Sequence, residues 1–165
     1  MDMKNLESNR LILRPWKIND LDDLHEFTSD KKVAKLAGFN VRKTKKETSN
    51  ILNQFMIDSL KSLWAIELKE CNKAIGWIEL HNPSDETYIN SKEIGFVLSQ
   101  EYWGKGLIPE AIKLVLNYEF DEEKVNSIIC THFVGNIQSK RVISKCGFEF
   151  VMENNDKAYY CLNKY

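Results

Sequence analysis

The sequence predicts an α+β fold, a mixed sheet flanked by helices, and three observations lead there. Strand-like apolar runs and amphipathic helical segments interleave in the order strand, two helices, three strands, helix, strand, helix, two strands. No repeat or low-complexity linker divides the 165 residues, so residues 1–165 read as one domain, a size that buries roughly 70% of the surface exposed on unfolding. The stretch Tyr102-Trp-Gly-Lys-Gly-Leu-Ile-Pro-Glu-Ala111 sets a paired-glycine loop between a strand and a helix.

Leu11-Ile-Leu-Arg-Pro15 reads as the first strand, closed by Pro15. A helix then starts near Asn19 or Asp20, both good N-caps, with Leu21, Leu24 and Phe27 on one face. Thr44-Lys-Lys-Glu47 matches a capping box and opens a second helix through Ile51, Leu52, Phe55, Met56 and Leu60. Leu63–Leu68 and Ala74–Leu80 form a hairpin about the polar Lys-Glu-Cys-Asn turn, and a loop around Pro83 leads to the strand Ser91–Leu98. After the glycine loop, Ile108, Ala111, Ile112 and Val115 recur at helical spacing, and Ser127–Phe133 is strand-like. Asn136 N-caps a short helix carrying Val142, Ile143 and Cys146, which Gly147 ends. Phe148–Val151 and Ala158–Leu162 are the last strands.

Lys and Arg number 23 against 24 Asp and Glu, a formal net charge of -1, so no global field draws the chain to nucleic acid or to an anionic membrane. Cys71, Cys130, Cys146 and Cys161 are widely spaced, without a Cys-x-x-Cys pair or clustered histidines, which points to reduced, partly buried thiols and no metal site. The polar N-terminus lacks the apolar core of a signal peptide, and no segment approaches the ~20 apolar residues of a membrane span. The expectation is a cytoplasmic protein.

The first turn of a helix leaves backbone N–H groups unpartnered, at the positive end of the helix dipole. Gly104 and Gly106 carry no side chain to shield such amides, and Lys105 adds a mobile cation, so the loop suits a phosphate or serves as a plain tight turn. It lacks the lysine-serine ending of a P-loop and the third glycine of a dinucleotide fingerprint.

Glu93-Ile-Gly-Phe-Val-Leu98, the glycine loop, and Asn136-Ile-Gln-Ser-Lys-Arg-Val-Ile-Ser-Lys-Cys-Gly-Phe148 follow one another in an order and spacing that resemble the GNAT superfamily of N-acetyltransferases. Asn9-Arg-Leu-Ile-Leu-Arg-Pro15 is similar to its branch of ribosomal-protein alanine N-acetyltransferases. The resemblance implies a splayed, mostly antiparallel sheet of about six to seven strands, with acetyl-CoA as cosubstrate lying between two parting strands. Those strands would be the one ending at Leu98 and the one containing Cys130. The backbone of Phe96, Val97 and Leu98 would hold the pantetheine, one amide polarising the thioester carbonyl. The amides of Trp103, Gly104, Lys105, Gly106, Leu107 and Ile108 would receive the pyrophosphate, with Pro109 ending the cradle. Lys140, Arg141 and Lys145 would meet the 3′-phosphate or form a solvated helix face; Asn136 would bind the cofactor, cap its helix, or both. The implied partner is an amine acceptor, a peptide N-terminus or small molecule, and the protein would be a monomer or homodimer.

Two departures stand out against that family. Trp103 replaces the Gln or Arg that most members carry at the head of the loop, as is usual in the named branch. The tyrosine that many members use to protonate the leaving thiolate falls at Ile143. Acyl transfer to an amine needs a base, oxyanion donors and an acid. Glu93 and Glu79 are the candidate bases, with burial in apolar strands raising their pKa; each can equally be structural, Glu93 as an edge carboxylate paired with Lys or Arg and Glu79 on a solvated face. His81 is a further base or a surface histidine. Ser139 either donates a proton to the thiolate or binds free backbone N–H groups. Arg42-Lys-Thr-Lys-Lys46 precedes a helix N-terminus, where cations are mildly unfavourable, which admits an acidic acceptor as its reason. Trp64, Trp77, Phe27 and Phe55 read as core. Loss of the tyrosine also leaves open a non-catalytic acyl-CoA-binding module.

Overall fold

Alternation along the central strands sends side chains to two faces, and each face is covered by its own helices. The computed structural model describes residues 3–59 and 62–164; Leu60, expected on the second helix, lies outside them. The strands are β1 (Leu6–Glu7), β2 (Leu11–Arg14), β3 (Leu63–Leu68), β4 (Lys73–His81), β5 (Ser91–Leu98), β6 (Ser127–Phe133), β7 (Glu149–Asn154) and β8 (Lys157–Asn163). They form one sheet in the order β1-β2-β3-β4-β5-β6-β8-β7, antiparallel at every junction except β5–β6, which is parallel. The sheet has one strand more than expected, because β1 is too short to leave an alternating pattern.

The helices are α1 (Leu21–Thr28), α2 (Lys31–Ala37), α3 (Lys45–Asp58), α4 (Leu107–Asn117) and α5 (Ile137–Lys145). Trp64 and Ile66 of β3 pack with Leu107, Ile108, Ala111, Ile112 and Val115 of α4 and Ile143 of α5. Leu63 and Ala65, one residue out of phase, pack with Leu24 and Phe27 of α1, Val33 of α2 and Leu52 of α3. Each such buried Leu, Ile, Val or Phe side chain contributes about 1.5–3 kcal/mol.

The helix expected near Asn19 or Asp20 starts at Leu21, directly after a 3-10 turn at Ile18–Asp20, with Asp20 in the N-cap position, but the Asp20 side chain makes no cap hydrogen bond. Its carboxylate takes Nη1 and Nη2 of the buried Arg14, each at 2.8 Å, while Arg14 Nε pairs with Glu67. A buried guanidinium demands such partners more than a helix end does. The capping box at Thr44 is half formed: Thr44 Oγ1 accepts the Glu47 N–H at 3.2 Å, but Glu47 accepts from Lys43 N–H rather than from Thr44. α2 was unexpected. Asp30 caps it, accepting from Lys32 N–H at 2.8 Å, and Gly38 ends it at φ 80°.

Candidate active site

Between the ends of β5 and β6 the sheet opens. Register joins Ser91 to Ser127 through Ile94 to Cys130, and among the described residues no pairing between the two strands follows. β4 stays with β5 as far as Leu98, and β8 stays with β6 as far as Phe133. Beyond Ile94 the two strands therefore turn bare edges toward each other, and a cleft of about 910 Å³ enters there.

Backbone groups alternate sides along a strand. Ser99 N–H donates to Ile75 O at 2.8 Å, and Val97 O sits against Gly76, where a Cβ would come within 2.2 Å. Residues 97 and 99 thus face β4, which turns the N–H and C=O of Phe96 and Leu98 into the cleft. Leu98 O accepts the Trp103 indole N–H at 2.8 Å. The Phe96 N–H and C=O and the Leu98 N–H remain open to a ligand, whereas the backbone of Val97, expected beside them, belongs to the β4 ladder.

The glycine loop closes one end. Gly104 and Gly106 both hold φ of 75°, where a Cβ is strained, and Gly106 caps α4. Gly104, Gly106, Leu107 and Ile108 line the cleft. A Cβ at Gly104 would meet nothing within 4 Å, so glycine keeps that wall bare. Trp103 N–H is already engaged, donating to Gln100 O at 3.2 Å, which removes it from the expected cradle. Lys105 turns aside, its Nζ 5.3 Å from the centre of the Tyr102 ring, while its carbonyl accepts from Arg10 Nη1 at 2.9 Å.

On the sheet face toward α1 and α3, Trp77, Glu79 and His81 stand opposite Val97, Gly95 and Glu93. Glu79 fills the space left by Gly95, where a Cβ would lie 3.0 Å from Glu79 Oε1. Burial pushes the Glu79 carboxyl above its ordinary value; His81 opposes the shift and Asp58 adds to it. Glu93 is 7% exposed and is held by Thr131 Oγ1 at 3.3 Å and Ser84 Oγ at 3.4 Å, hydroxyls in place of the Lys or Arg partner weighed from sequence. Both carboxylates line the cleft with His81, Phe39 and Trp77. Trp64 and Phe27 are core as expected, but Trp77 is half-buried at the cleft wall, its ring 5.1 Å from Phe55.

The far wall is built on the start of α5. Asn136 Oδ1 accepts the Ser139 N–H at 3.1 Å, and its Nδ2 donates to Leu36 O at 3.1 Å, tying α5 to the end of α2. Ser139 reaches the cleft with its hydroxyl unbonded among the described residues, whereas Ile143 is 0% exposed in the core. Arg141 and Lys145, one helical turn apart, line the cleft; Lys140, offset by about 100° around the helix, is exposed and outside the lining. His132 also lines it, with Nδ1 2.6 Å from Phe133 O and Nε2 3.2 Å from the Tyr160 hydroxyl, a residue that an apolar strand pattern gives no reason to single out.

None of residues 42–46 lines the cleft; Lys45 pairs with Asp22 at 2.8 Å, which accounts for one of those cations within the fold. The cysteines are free thiols outside the cleft lining; Cys130 is buried, and Cys71 is exposed where partial burial was expected, because it sits on the β3–β4 turn. Among the described residues no three His, Cys, Asp or Glu side chains are grouped to hold a metal, and no helix is long and apolar enough to cross a membrane.

A family model described as "Acetyltransferase (GNAT) domain" matches residues 10–149. The chain is 30% identical over 143 residues to the "Uncharacterized N-acetyltransferase YnaD" of Bacillus subtilis (strain 168), covering 87% of this chain and 81% of that one. The solved acetyltransferase (GNAT family) from Bacillus anthracis aligns with a TM-score of 0.84 at 29% identity, over 97% of this chain and 98% of its own. The microcin C7 self immunity acetyltransferase MccE, solved in complex with acetyl-CoA and AMP, shares the fold at a TM-score of 0.76 and 19% identity, over 95% and 94% of the two chains.

Proposed function

Since the chain belongs to the GNAT family of N-acetyltransferases, we propose that it moves an acetyl group from acetyl-CoA to a primary amine, a protein N-terminus or a small amine, directly within a ternary complex. The observation that carries this reading is the parting of β5 from β6 beside the glycine loop. Bare strand edges suit an amide-bearing arm, and the amides of Gly104 to Ile108 at the start of α4 suit the anion at its end. Acetyl-CoA, when bound, supplies an acetyl group already activated as a thioester.

The chain's own residues do the rest. One of the N–H groups of Phe96 and Leu98 donates to the thioester oxygen that gains negative charge, and the other is left to pair with the amide-bearing arm. An aliphatic amine with a pKa near ~10 arrives protonated at pH 7, so a carboxylate must take its proton directly or through water. Glu93, fixed by Ser84 and Thr131, is the preferred base, with Glu79 beside it across Gly95. Ser139 offers its hydroxyl proton to the leaving sulfur, and Arg141 and Lys145 offer charge to a phosphate.

Initial rates against a panel of N-terminal peptides, polyamines and small amines test the reading. Intersecting double-reciprocal lines are expected, with Glu93→Gln and Ser139→Ala each slowing transfer at unchanged acetyl-CoA affinity. Parallel lines, or an acyl-cysteine trapped by mass spectrometry, would overturn direct transfer.

A further inference from the structure

We propose that Arg10 is a positioning residue that locks the glycine loop with the Gly106 N–H turned into the cleft, an inference that rests on reading this loop as the CoA pyrophosphate site. Glu110, in the first turn of α4, accepts from Ser8 Oγ at 2.7 Å, from Arg10 N–H at 3.1 Å and from Arg10 Nε at 2.7 Å, and pairs with Arg10 Nη2 at 2.6 Å. One edge of the guanidinium is thereby fixed to the helix. The remaining nitrogen, Nη1, reaches over to Lys105 O at 2.9 Å.

That second contact sets a direction. In a trans peptide the C=O and the following N–H point opposite ways, and the chain has no cis bond among its described residues. Holding Lys105 O against Arg10 therefore aims Gly106 N–H away from Arg10, and Gly106 is part of the cleft wall. The Lys105–Gly106 peptide is otherwise easy to turn over, since glycine accepts either sign of φ. Turned over, it would present a carbonyl oxygen where an anion is to sit. Arg10 is already neutralised by Glu110, so its contribution to an anion is orientation rather than charge. Lysine cannot substitute: an ammonium is a compact point charge that cannot hold the helix carboxylate and the loop carbonyl together as the planar fork does.

The test is a titration of 15N-labelled protein with CoA, following the Gly106 and Phe96 amides, in wild type, Arg10→Gln and Arg10→Lys. Both variants should bind CoA about tenfold or more weakly. At saturation Phe96 should shift as in wild type, while Gly106 should not reach its wild-type position. Arg10→Lys retains a cation for Glu110 and carries the test if Arg10→Gln does not fold. Wild-type affinity with a wild-type Gly106 shift in a variant overturns the lock. Loss of the Phe96 and Gly106 shifts together also overturns it, because that marks a general collapse of the cleft. If wild-type protein gives no shift with CoA, the reading of the site itself falls and the lock with it, a result distinct from failure of a variant alone.

Discussion

Glu119 shows what a single misplaced charge does in this fold. It is 5% exposed at the end of α4, where the chain leaves the helix through a π turn at Tyr118–Glu122. Burial first, and repulsion from Glu123 second, push its carboxyl up to about 7, against the pull of Lys92. The folded state thus prefers the protonated acid more than the unfolded chain does, whose value is near 4.5. Below that value both states are protonated and the preference is fully present; as pH rises toward 7 the unfolded state ionises first and the stability is lost. Glu119→Gln should therefore stabilise the protein by on the order of 1–2 kcal/mol at pH 8 and by little at pH 4. Urea midpoints at the two pH values measure this, and equal effects at both would remove the titration from the explanation. Glu93 differs in kind: its two hydroxyl neighbours give the buried carboxyl hydrogen-bond partners.

Among the elements, α5 joins the two sides of the cleft through one side chain. Asn136 caps α5 with its oxygen and holds the Leu36 carbonyl of α2 with its nitrogen. Asn136→Ala removes both, about 1 kcal/mol for the cap and about 1 kcal/mol for a hydrogen bond lost at a half-buried carbonyl. Asn136→Ser keeps a capping oxygen and loses only the link to α2, so denaturation should find it less destabilised than the alanine variant. The cap was legible in the sequence because its signal is local: Asn136 ahead of an apolar periodicity and Gly147 after it, found at φ 85°. β5 and β6 likewise occupy the runs that their apolar residues mark. α2 was not, although Asp30 and Gly38 bracket it, because seven residues hold barely two turns and give periodicity little to work on. β1 spans two residues and gave none.

Over the whole molecule the limit lies in distance along the chain. The loop proposed for the donor was legible as a strand, two glycines and a helix start because these are adjacent in sequence. The couplings that shape it are not: Arg10 meets Lys105 across 95 positions, Asn136 meets Leu36 across 100, and Thr131 meets Glu93 across 38. No periodicity reports such pairs, so neither the clamp on the loop nor the hydroxyls on Glu93 could be read before the strands were placed. Placement also makes the parted sheet a mechanical feature. Among the described residues the backbones of β5 and β6 pair only from Ser91–Ser127 to Ile94–Cys130, where the core shared with α4 and α5 spans both strands. A ligand lying in the gap and bonding the β5 edge should stiffen the junction and stabilise the fold by mass action, about 2.7 kcal/mol at a hundredfold excess over Kd. Hydrogen exchange locates the effect. With saturating CoA, the Phe96 and Leu98 amides, which face the cleft, should gain protection beyond the global rise, while Ser99, already donating to Ile75 O at 2.8 Å, should follow the global rise alone. Uniform protection of all three would mean that the ligand binds without pairing to the strand edge.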